Sequence, residues 1–67
     1  MISIRVNGQS QEVAAGQTVM TLLAVLGVPA DGTLVEHNGV ALFPRNFATT
    51  AVTAGDRFEL VRIAAGG

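Results

Sequence analysis

The segment Arg62-Ile63-Ala64-Ala65-Gly66-Gly67 ends the sequence, and after Ile63 it carries small residues only, with a glycine pair last. Side-chain-poor backbone can pass extended through a channel too narrow for branched residues, and six residues reach at most about 20 Å. The chemical group at its end is the α-carboxyl of Gly67, ionised at neutral pH and therefore able to attack a phosphorus centre. Other chemistry is sparse. His37 is the sole histidine and there is no cysteine, so a zinc site, which needs three or four suitable ligands, is not expected. His37 reads as a surface or hydrogen-bonded structural residue beside a turn. The acids Glu12, Asp31, Glu36, Asp56 and Glu59 are scattered, and Asp56 after Gly55 reads as a turn former. No catalytic constellation and no phosphate-cradling glycine motif is visible, so an enzyme is not expected, nor any cofactor or metal of its own.

What must position that arm is one small domain. A chain of 67 residues, 49% hydrophobic, has material for a single core, and with no cysteine that core relies on packing and backbone hydrogen bonds. Four arginines against five acids, with no lysine, leave no basic stripe for phosphates and argue against nucleic acid as a partner. No apolar run approaches the length of a membrane span, and the alternating start MISIRVNG is unlike a secretion leader. A soluble chain in a reducing, cytoplasmic setting is the expectation.

The elements follow from hydrophobic period. Ile2, Ile4 and Val6 alternate with Ser3 and Arg5, a half-buried strand. Asn7-Gly8 then predicts a tight hairpin turn into a second strand over about 9–13. Thr18 is a helix N-cap, Val19, Leu22, Leu23 and Leu26 form an apolar stripe, and Gly27 with Pro29 closes the helix, over about 18–26. A strand over about 33–37 turns at Asn38-Gly39 into a short run, 40–42. Pro44 to Asn46 open an irregular connection that Phe47, and Val52 beside it, should anchor to the core. The last strand places Phe58 and Leu60 on one face, with Arg57, Glu59 and Val61 on the other. Strands first, second and last separated by a helix and a long crossover predict a mixed sheet of four to five strands with one helix packed across one face, the last strand lying parallel to the first.

Several stretches, VNGQ at 6–9, AAGQTVMTLL at 14–23, HNGVALFPRNF at 37–47, AGDRFELVR at 54–62 and the terminal Gly66-Gly67, give the whole chain a likeness to known proteins. It resembles the ubiquitin-like β-grasp fold, an α+β class, and within it the ThiS family of sulfur carriers in thiazole (thiamine) biosynthesis. Many relatives carry Trp where Phe47 stands. The resemblance implies that an E1-like adenylating enzyme of ThiF type uses ATP to activate the Gly67 carboxylate. Sulfur from a donor such as a cysteine desulfurase would then make a thiocarboxylate for a thiazole synthase of ThiG type. Carriers serving molybdopterin or cysteine formation share the fold and tail, and a non-catalytic β-grasp binding module is the alternative of a different class.

The expected division is a domain over 1–63 and a flexible tail over 64–67, in which Gly66 and Ala65 give Gly67 access to a partner's active site. If Phe58 and Leu60 face the helix, the open side of the sheet should present Val61 and Ile63 with Arg57, Glu59 and Arg62 around them. An apolar patch with a charged rim is how a partner site would look.

Overall fold

The computed structural model describes residues 1–63 of the chain; the expected tail over 64–67 lies outside the described residues. Strand β1 (Ile2–Val6) pairs antiparallel with β2 (Gln9–Val13) through a turn in which Asn7 and Gly8 have φ of 50° and 81°. Those positive values are what a two-residue hairpin turn demands and why Asn-Gly stands there. Helix α1 (Val19–Val25) follows, then β3 (Thr33–His37), β4 (Val40–Leu42), a 3₁₀ helix over Pro44–Thr49 and β5 (Arg57–Arg62). The sheet order is β2-β1-β5-β3-β4. As the spacing predicts, β5 runs parallel to β1 in the middle, Arg5 beside Arg57 and Val6 beside Phe58. The count is five strands, since Val40–Leu42 pairs fully with β3.

The helix is held at both ends by its own residues. Thr18 Oγ1 accepts from the Thr21 amide at 3.3 Å while the Thr18 amide donates to Thr21 Oγ1 at 3.1 Å, a reciprocal cap that satisfies two otherwise orphaned donors. At the far end the Val28 amide donates to Leu23 O and the Gly27 amide to Ala24 O, with Gly27 at φ 72°. This is a Schellman ending, and it needs the left-handed conformation that glycine adopts without a Cβ penalty.

Val19, Leu22 and Leu23 turn inward from α1 onto Ile4, Val6, Val13, Val35 and Phe58 of the sheet. Phe47 is fully buried and Val52 nearly so, which makes the irregular connection part of the core, as expected of two anchors. The connection also closes on the helix entry, where the Val19 amide donates to Thr50 O and the Val52 amide to Gln17 O, both at 2.9 Å. The helix covers one face of the sheet, and the other is left open.

Candidate functional site

The described residues run to Ile63, directly after the central strand β5. That end is fastened. The Ile63 amide donates to Gly32 O at 2.8 Å, and the Arg62 guanidinium donates through Nη1 to Asp31 O at 2.7 Å and Thr33 Oγ1 at 3.0 Å. Gly32 makes room for it: a Cβ there would sit 3.3 Å from Arg62 Nη1, and its φ of +77° also favours glycine. Gly67, Gly66 and Ala65, the expected reactive end and its approach, lie outside the described residues.

The expected rim is thereby corrected at one position. Arg62 shares the parity of Phe58 and Leu60, so its side chain turns to the 29–33 loop on the helix side of the sheet and not to the open face. Alternation along β5 places Arg57, Glu59, Val61 and Ile63 together, as expected. Val61 and Ile63 are each more than half exposed. Two apolar neighbours join them that sequence reasoning missed. Leu34 stands opposite Val61 in the antiparallel β3–β5 ladder, and Phe43 follows β4; both are more than half exposed. Leu34 was readable in principle, because in TLVEH it shares the parity of the polar Glu36. Together these residues line a groove of about 400 Å³ on the open face, with Glu36 and Glu59 at its side. Arg45 lies over the Phe43 ring, its Cζ 5.0 Å from the centroid, a cation–π contact that holds Phe43 at the groove's edge.

A second polar cluster has a structural task. Asp56, 6% exposed, accepts from the Thr53 amide and Thr53 Oγ1, both at 2.9 Å, and from Asn38 Nδ2 at 3.1 Å, and pairs with His37 Nε2 at 2.9 Å. Burial opposes its charge, but the Thr53 amide and then His37, Asn38 and the Thr53 hydroxyl outweigh burial and hold the carboxyl at about 2. Asp56 is thus a hub between the β3–β4 turn and the start of β5 and not only a turn former. The His37 ring stacks on Phe58, centroids 4.8 Å apart, and serves that hub as the hydrogen-bonded structural histidine its position suggests. No group of three or more potential metal ligands occurs among the described residues. No helix among them is long and apolar enough to cross a membrane.

The ThiS family model matches residues 4–67, nearly the entire chain. The chain belongs to the ThiS family. A crystal structure of the thiamine biosynthesis protein ThiS from Geobacter metallireducens superposes with a TM-score of 0.87 at 35% identity, covering 98% of this chain and all of that one. A solution structure of a thiamine biosynthesis protein from the same organism gives a TM-score of 0.79 at 33% identity, covering 98% of this chain and 88% of the other. The β-grasp architecture that the resemblance implied is therefore shared with these proteins. Among curated proteins, a thiazole synthase of Paramagnetospirillum magneticum is 36% identical over 62 residues, 92% of this chain but only 19% of that protein. The chain spans about a fifth of the length of that relative.

Proposed function

We propose that this protein is a sulfur carrier of thiamine biosynthesis that acts through the carboxylate of Gly67. The observation that carries the reading is the family match, which runs through Gly66 and Gly67. A carboxylate resists attack by nucleophiles. Its oxygen therefore first attacks the α-phosphorus of ATP, displacing pyrophosphate, to give an acyl adenylate with a good leaving group. A persulfide sulfur, supplied from a cysteine desulfurase, displaces AMP, and cleavage of the S–S bond by a thiol leaves the thiocarboxylate. Sulfur then passes to a thiazole synthase. Reactive centres are the partners' own: an E1-like, ThiF-type enzyme for adenylation and a ThiG-type enzyme for thiazole formation. The absence of a Cβ at Gly66 and Gly67 lets their backbones and the nucleotide approach closely. Val61, Ile63, Arg57 and Glu59 supply the docking side of the carrier. Persulfide and thiocarboxylate chemistry suits a reducing, cytoplasmic compartment.

Intact-mass spectrometry tests the reading. Incubated with the adenylating enzyme, ATP and a sulfur donor, the full chain is expected to gain the mass of one oxygen-to-sulfur exchange. A chain lacking Gly67 is expected to gain nothing while keeping its unfolding midpoint, since a terminal residue contributes little to packing. Equal behaviour of the two chains would favour the binding-module alternative.

A further inference from the structure

The last strand loses one of its two neighbours before it ends. Pairing of β5 with β1 stops at Val6 beside Phe58, and the Asn7 side chain carries it only as far as Leu60. Beyond that point, among the described residues, Val61, Arg62 and Ile63 are paired on one side, by β3 and the loop before it, down to the Ile63 amide on Gly32 O at 2.8 Å. A strand end held on one side is the first part of a sheet to open. Arg62 closes that weakness with its side chain. Nη1 donates to Asp31 O at 2.7 Å and to Thr33 Oγ1 at 3.0 Å, and the same hydroxyl donates onward to Pro29 O. Thr33 is 4% exposed, so the hydroxyl that meets the guanidinium is itself fixed by burial. Bonds from a charged donor are about twice as strong as neutral ones.

We infer that Arg62 is a positioning residue for the activation of Gly67: its latch on the 29–33 loop holds β5 closed as far as Ile63, and so sets at four residues the length of chain that carries the carboxylate to the enzyme. The inference rests on the carrier reading above and deepens it. Four residues span at most about 14 Å, whereas six, with Arg62 and Ile63 released, span about 20 Å. The effective concentration at the end of a tether longer than its span falls as about the −3/2 power of length, so two added residues dilute the Gly67 carboxylate at a fixed active site about twofold. Arg62 lies on the helix side of the sheet, away from Val61 and Ile63. Its loss therefore alters delivery of the carboxylate and leaves the proposed docking side in place.

Two measurements test the inference, and the first needs no enzyme. Amide hydrogen exchange of the free protein, followed by NMR, reads the latch. Arg62→Ala is expected to speed exchange at the Ile63 amide about tenfold, well beyond any change at the Arg5 amide, which bonds to Asp56 O at the other end of β5. Arg62→Lys, whose ammonium can meet the same two acceptors, is expected to restore most of the protection. Pyrophosphate release with the ThiF-type enzyme, ATP and a sulfur donor, at varied carrier concentration, reads the delivery. Arg62→Ala is expected to lower kcat about twofold or more with KM at the wild-type value. Two glycines inserted after Ala64 lengthen the chain beyond Ile63 by the same amount without touching the latch, and are expected to reproduce the loss in kcat with Ile63 exchange unchanged. Unchanged Ile63 exchange in Arg62→Ala, a changed KM with kcat intact, or an inserted chain as active as the wild type overturns the inference and leaves the carrier reading in place. A wild-type chain that releases no pyrophosphate overturns the carrier reading and the positioning role with it, whatever the exchange shows.

Discussion

At the scale of single residues, Asp56 and Arg62 each join segments far apart in sequence, and each has a consequence for stability. Asp56 holds its proton less tightly in the folded chain, about 2 against an ordinary 3.8, so the folded state favours the charged form. The stability this contributes is complete above about pH 4 and is lost as pH falls toward 2. Asp56→Asn should therefore lose up to about 2 kcal/mol at neutral pH, with the gap from wild type closing in acid. Urea unfolding of both proteins at pH 7 and near pH 2.5 measures it. At Arg62 the expectation is different in kind. Arg62→Ala frees the 29–33 loop and the end of β5, costing about 1 kcal/mol through lost hydrogen bonds to backbone oxygens. On the proposed carrier reading it should also lower the efficiency of Gly67 activation more than this small stability loss accounts for, because the end of β5 is no longer fastened to the loop. Gly32→Ala should do the same from the other side, by pushing Arg62 away and by straining a left-handed backbone.

Elements show how local signals and long-range packing divide the work. The α1 cap and its Schellman ending are written in Thr18, Thr21 and Gly27, within reach of each other along the chain. The two Asn-Gly turns are equally local, yet their side chains act at a distance. The Leu60 amide donates to Asn7 Oδ1 and the Arg57 amide to Asn38 Oδ1, both at 2.8 Å, so each asparagine prolongs pairing to β5 beyond its own strand. Replacing Asn7 by Gly keeps the turn but should still destabilise the chain by about 1 kcal/mol, since it orphans that contact; replacing Gly8 by a β-branched residue should cost more through the positive φ. The 3₁₀ connection depends on Phe47, fully buried beneath the helix. Phe47→Ala should cost about 3 to 5 kcal/mol, enough to unfold so small a domain, as circular dichroism melting would show.

For the molecule as a whole, one side of the sheet is committed to the core and the other is left open. The helix and the connection cover the inner face, while the outer face exposes Leu34, Phe43, Val61 and Ile63 beside paired charges. If the proposed adenylating enzyme docks on this face through complementary charges, association should be faster at low than at high ionic strength, a dependence that stopped-flow mixing measures directly. The amino-acid sequence by itself determined the order of the longer strands and the one α-helix, the two hairpin turns and the helix limits, because periodicity, caps and turn residues act over a few positions; it left the strand count at four or five and read the 3₁₀ turn over Pro44–Thr49 as an irregular connection. Alternation also sorted Arg57, Glu59 and Val61 from Phe58 and Leu60 along β5, but Arg62, expected on the open side, stands on the helix side with Phe58 and Leu60. Tertiary structure alone decided that Leu34 and Phe43 complete the groove, that Arg62 faces the loop, and that Asp56 serves as a hub to His37 and Asn38. The physical reason is that alternation sorts side chains between two faces of a strand, whereas the identity of each neighbour depends on sheet order and register, which are set by burial of the whole core.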